Sequence, residues 1–117
     1  MPQRVLIVDD HPVFRTRARQ LLETEGFEVV GEAADGAAAI EAARTLGVDI
    51  VLLDVYLPDV DGFEVARRLI SNGARPAIVL ISSRDGADFG PLVEDSGARG
   101  FIAKDELSGE RLRTLVS

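Results

Sequence analysis

The sequence predicts an α/β fold: a doubly wound (βα)5 domain, with one five-stranded parallel sheet and helices on both faces. Three observations carry the prediction. Five short runs rich in Val, Ile and Leu recur along the chain, their starts 21 to 27 residues apart. Most of these runs lack polar alternation, as strands buried on both faces do. The stretches between them have helical period and are long enough for the crossover that joins neighbouring parallel strands.

The first run, Val5–Val8, stops at Asp9-Asp10. Behind it Phe14, Ala18, Leu21 and Leu22 share one helical face, while Arg15, Arg17 and Arg19 point elsewhere and read as a solvated face. His11, the only histidine, reads as a first-turn helix residue and not as a metal ligand. The second run is Val29–Ala33, with Gly31 and Gly36 read as loop glycines. Ala39, Ile40, Ala43 and Leu46 form the next stripe. The third run, Ile50–Leu53, ends at Asp54; Pro58 and Gly62 shape the loop beyond, and Phe63, Ala66 and Ile70 make a third stripe. Gly26, Gly47 and Gly73 stand where helix C-terminal caps belong. The fourth run, Ala77–Ile81, ends at Ser82-Ser83. Pro91 is tolerated only in a first turn, so the fourth helix is expected to begin between Asp88 and Pro91 and to end by Ser96. The fifth run, Phe101–Ala103, ends at Lys104. Ser108 is the expected N-cap of a short last helix carrying Leu112, Leu115 and Val116.

Composition narrows the classes. A length of 117 residues suits one core, so a single domain over 1–117 with no effector domain is expected. The balance of 46% apolar and 28% charged residues is that of a folded soluble chain. A net charge of −7 repels phosphate backbones, which argues against direct nucleic-acid binding. The absence of cysteine removes disulfide scaffolds, cysteine nucleophiles and thiolate metal sites. The longest apolar run has five residues, Ala77–Ile81, too few to span a membrane. Charged residues stand where a signal peptide would be apolar, and a cytoplasmic location is expected.

In a doubly wound sheet, function gathers at the carboxyl ends of the strands. Here those ends carry Asp9, Asp10, Asp54, Ser82 and Lys104. Three carboxylates held together repel one another. A hard divalent cation with oxygen ligands offsets that repulsion, and Mg²⁺ is the expected cofactor. Lys104 adds a further positive charge.

The chain resembles the receiver domain of bacterial two-component response regulators, the CheY-like fold. The residues that carry the resemblance are Val-Leu-Ile-Val-Asp-Asp at 5–10, Leu-Leu-Asp-Val-Tyr-Leu-Pro-Asp-Val-Asp-Gly at 52–62, Val-Leu-Ile-Ser-Ser at 79–83 and Gly-Ala-Arg-Gly-Phe-Ile-Ala-Lys at 97–104. It implies that Asp54 is the phosphoacceptor and that Asp9 and Asp10 hold Mg²⁺, Asp10 more directly. It also implies that the Tyr56 backbone carbonyl completes the metal shell and that Lys104 pairs with the phosphate. Ser82 matches the switch hydroxyl and Phe101 the switch aromatic. The implied partners are a histidine kinase or phosphotransfer protein and an unknown output partner, with a homodimer as a further possibility. Three departures bear on the switch. Ser82 replaces the commoner Thr, Phe101 replaces Tyr and should favour a buried place, and Asp105 follows Lys104 where many relatives have Pro.

Other classes fit less well. A phosphatase using Asp54 as a transient nucleophile needs an acid two residues on, where Tyr56 stands. A flavin or nucleotide site needs a Gly- or Ser/Thr-rich loop after the first strand, where Asp9-Asp10-His11 stands. A pseudo-receiver, a binding module not regulated by phosphorylation, is the remaining alternative. As a receiver the chain is a signalling phosphoacceptor that assists its own phosphorylation and dephosphorylation, and is not an enzyme acting on a separate substrate.

Overall fold

The computed structural model describes residues 2–71, 76–83 and 89–117. Five strands are β1 (Arg4–Val8), β2 (Glu28–Ala33), β3 (Ile50–Asp54), β4 (Ala77–Ser82) and β5 (Gly100–Ala103). They form one sheet in the order β2-β1-β3-β4-β5, and every neighbouring pair is parallel. Five helices are α1 (Pro12–Thr24), α2 (Gly36–Leu46), α3 (Gly62–Ser71), α4 (Leu92–Asp95) and α5 (Gly109–Val116), with a 3₁₀ turn at Lys104–Glu106.

The central strands β1, β3 and β4 are buried on both sides because each side has its own core. Leu6, Val8, Val51 and Leu53 face α2 and α3, where they meet Ala39, Ala43, Phe63 and Ala66. Val5, Ile7, Ile50 and Leu52 face α1 and α5, where they meet Ala18, Leu22 and Leu112. The period of two along each strand makes this division.

Local chemistry sets most boundaries as expected. Gly47 is the left-handed C-cap of α2, and Gly26, also at positive φ, follows the C-cap of α1. Ser108 caps α5, accepting from the Arg111 N–H at 3.1 Å. Gly73 lies outside the described residues. The short α4 follows Pro91, within the expected start, although Asp88 lies outside the described residues. Other positions differ from expectation. His11 is the N-cap of α1 and not a first-turn residue, because Pro12 supplies the first helical position. Gly31 lies inside β2, where α2 packs so closely that a Cβ would stand 2.8 Å from the Leu46 side chain. Gly36 opens α2 in place of a loop. In α3, Phe63 and Ala66 of the predicted stripe are buried, Leu69 is buried beside them and Ile70 is only partly covered.

Candidate functional site

The parallel order brings the ends of β1 and β3 side by side and sets β4 and β5 next to them. The ladder continues one residue past β1 and past β3: Asp9 N–H donates to Ala33 O and Val55 N–H to Ile81 O, each at 3.0 Å. Asp9 is thereby fixed with no exposure, and Asp54 with 3%. The loop beyond Asp54 turns back sharply. Gly62 N–H donates to Val55 O at 2.7 Å, and a Cβ on Gly62 would run into the Asp54 carbonyl and the Val55 backbone. Asp59 ties this loop to α2 by accepting from the N–H groups of Gly36 and Ala37.

Lys104, just past β5, reaches into the cluster. Its Nζ lies 3.3 Å from Asp54 Oδ2 and 2.5 Å from Asp9 Oδ2, and 4.7 Å over the ring of Phe14. Asp54 Oδ1 accepts from the Tyr56 N–H at 3.1 Å. His11 closes the other side. Its main-chain N–H donates to Asp9 Oδ1 at 2.8 Å, and its ring Nδ1 lies 3.0 Å from that oxygen and 3.1 Å from Asp10 Oδ1. Arg15 Nη1 donates to the Asp9 carbonyl at 2.6 Å, while its Nε pairs with Glu32 at 3.0 Å.

Charge in this cluster is unbalanced. Burial pushes the Asp54 carboxyl up to about 6; the nearby Asp9 charge adds to this, and the Tyr56 N–H and Lys104 oppose it. Burial disfavours the Lys104 ammonium, yet Asp9 and Asp54 outweigh it and hold the lysine above its ordinary range. One ammonium thus serves two buried carboxylates. Asp9 Oδ2 is buried, and the Lys104 ammonium it faces is shared with Asp54. Asp9, Asp10, His11 and Asp54 each offer a ligand atom, all within 4.8 Å of one another. Carboxylates that outnumber the one ammonium among them, with their oxygens gathered together, fit a hard divalent cation.

The residues singled out from the sequence fall into two groups. Asp9, Asp10, Asp54 and Lys104 meet in the cluster. Ser82 ends β4 with no exposure, in register with Ala103, which precedes Lys104. Tyr56 is 49% exposed, and its N–H donates to Asp54. Phe101 stands apart from the cluster; it is half-buried and packs against Phe89. Two cluster residues were read otherwise in the sequence. His11 sits among the carboxylates, as its place directly after Asp9-Asp10 allows. Arg15 is not simply solvated: it lies one turn after His11, facing the end of β1.

Residues 5–117 match the response regulator receiver domain family. This chain is a response regulator receiver domain. The receiver is 41% identical over 106 residues to the transcription regulator BvgA of Bordetella pertussis, covering 91% of this chain and 51% of BvgA. It spans about half the length of the curated relatives it matches. Among solved structures it resembles the signal receiver domain of NarL from Mycobacterium tuberculosis, with a TM-score of 0.86, 36% identity and coverage of 97% and 96% of the two chains. It also resembles a Borrelia burgdorferi structure of CheY with CheX, BeF3 and Mg²⁺, with a TM-score of 0.86, 28% identity and coverage of 99% and 87%. Among the described residues, no helix is long and apolar enough to cross a membrane.

Proposed function

We propose that Asp54 accepts a phosphoryl group from a histidine kinase or phosphotransfer partner, and that this switches the receiver's hold on an output partner. The observation that carries the reading is the clamp on Asp54. The Tyr56 N–H holds Oδ1, and the Lys104 ammonium faces Oδ2. A carboxylate so fixed is a positioned nucleophile. Its oxygen bonds to phosphorus as the bond from phosphorus to the donor nitrogen or oxygen breaks. Lys104 then offsets charge on the phosphoryl oxygens, which is most of what this transfer requires.

Mg²⁺, held by Asp9, Asp10, Asp54 and the Tyr56 carbonyl, would neutralise charge shared between the carboxylates and the phosphoryl oxygens. The resemblance to the CheY structure containing Mg²⁺ supports that choice of ion. His11 and Arg15 orient Asp9 through its side chain and its carbonyl respectively. Ser82, at the neighbouring strand end, offers its hydroxyl to a phosphoryl oxygen. A groove lined by Phe14, Ala18, Leu21 and Leu107, with Arg17 and Asp105 on its rim, opens beside Lys104 and supports docking of the donor there. The work is done in the cytoplasm, where the kinase carries its phosphohistidine. No observation favours a phosphorylation-independent module.

The test is intact mass after incubation with Mg²⁺ and a small acyl phosphate. A gain of one phosphoryl group, lost in Asp54→Ala, is expected. An unchanged mass with several competent donors refutes the reading.

A further inference from the structure

Phe89 is the centre of an aromatic group that connects the two ends of the proposed switch. Its ring centroid lies 5.4 Å from Phe101, 5.6 Å from Phe63 and 6.1 Å from Tyr56. Tyr56 is the residue whose N–H holds Asp54, so one side of the group is attached to the acceptor. The other side belongs to the sheet. Leu80 is in register with Phe101 and Ser82 with Ala103. Residues in register face the same side, as do residues two apart on one strand. Ser82 and Phe101 therefore face the α2–α3 side, and Phe89 packs into the core on that side with Leu80 and Phe63.

Phe101, lacking the Tyr hydroxyl, was expected to take a buried place. Phe89 already occupies the inner position, at 6% exposure, and Phe101 is left half-buried against it. A close-packed interior does not hold two rings in one place. The Phe89 carbonyl accepts from the Leu92 N–H at 3.1 Å, at the start of a short irregular run. Gly90 follows in the left-handed region at φ 53°, then Pro91, then a helix of four residues. Exchanging one Phe for the other buries about as much apolar surface as it exposes, so the two arrangements lie close in energy. A ligand with a modest difference in affinity for the two can then choose between them.

We propose that Phe89 is a positioning residue for Phe101. It holds the inner apolar place while Asp54 is unphosphorylated, and phosphorylation exchanges the rings, so that Phe89 becomes exposed and Phe101 buried. This rests on Asp54 being the phosphoacceptor. The surface that changes on activation is then the one around Phe89 and exposed Leu92, as well as the one around Phe101.

Fluorine NMR tests this. The five phenylalanines are replaced by 4-fluorophenylalanine, and each resonance is assigned by a Phe→Leu substitution. The shift between H₂O and D₂O reports water contact at each ring. In the unphosphorylated protein Phe101 should show the solvent shift and Phe89 should not. After treatment with Mg²⁺ and a small acyl phosphate, with phosphorylation verified by intact mass, the two should trade behaviour. In unphosphorylated Phe89→Ala, Phe101 should lose its solvent shift without any phosphoryl group. A mass gain with Phe89 still protected overturns the exchange while leaving the receiver reading intact. No mass gain overturns the acceptor assignment, and the exchange with it. Phe101 remaining solvent-shifted in folded Phe89→Ala also overturns the proposal; should that variant not fold, the comparison in the wild-type sequence decides.

Discussion

Removing the charge of the proposed acceptor should make the metal-free domain more stable. An aspartate in an unfolded chain titrates near 3.8, whereas burial holds Asp54 at about 6. At 1.36 kcal/mol per tenfold, keeping Asp54 ionised in the folded state costs about 3 kcal/mol at neutral pH. Asp54→Asn keeps the shape and the acceptor for the Tyr56 N–H. The attraction to Lys104, which retains Asp9, is already counted in that value. The expectation is a gain of up to about 3 kcal/mol at neutral pH, seen as a raised melting temperature. The sign with pH follows from the raised folded value. The penalty is complete above the folded pKa and vanishes below the unfolded one. Wild type should therefore gain on the variant as pH falls from about 6, and the two should meet near 3.8. Urea unfolding in EDTA buffer, stepped from pH 7.5 to 4, measures this. Added Mg²⁺ should raise the stability of wild type more than that of the variant. Equal or lower stability of Asp54→Asn at neutral pH without metal would refute the charge argument, as would a gap that persists at pH 4.

Four further outcomes are expected. Gly62→Ala should cost about 2–3 kcal/mol, read by chemical denaturation, because its Cβ meets Asp54 and Val55 backbone that cannot swing aside. Asp10→Asn should weaken Mg²⁺ binding more than Asp9→Asn, as calorimetric titration would show, if Asp10 is the more direct ligand. Ser82→Ala should reduce the amide NMR response of residues 100–104 to phosphorylation more than it reduces phosphate incorporation; an unchanged response would exclude Ser82 from the coupling. Glu32, held below the ordinary glutamate range by Arg19 and then Arg15, stabilises the fold above that range and loses the effect as pH falls through its lowered value. Glu32→Gln should accordingly match wild type in acid and fall below it by less than about 1 kcal/mol at neutral pH.

The strands were legible because uninterrupted aliphatic runs have few uses other than a doubly covered sheet. The sequence also named most of the acidic cluster, since strand ends converge once the order of a parallel sheet is known. His11 and Arg15 were less legible. A histidine beside two aspartates and an arginine one turn later look like a helix start and its solvated side. The turn from β1 into α1 brings both onto Asp9. Gly31 was misread because Gly is ordinarily a turn residue, and the close approach of Leu46 that demands it comes from α2. Phe89 gave no signal at all. It sits among Asp, Gly and Pro in a stretch without period, and its burial depends on three rings from distant segments.

The reach of Lys104 to Asp54 spans 50 residues of chain, and Asp54 itself stands 45 residues beyond Asp9. The consequence is kinetic. The site has no local precursor: it exists only after the central strands have paired and the last strand has docked. Contacts of such long sequence separation are slow to form, because chain closure must precede the reward. A chain folded only as far as β4 would gather its carboxylates without the ammonium that offsets them. Readiness to take a phosphoryl group is therefore acquired late in folding, and an incompletely folded receiver is silent to its donor by construction.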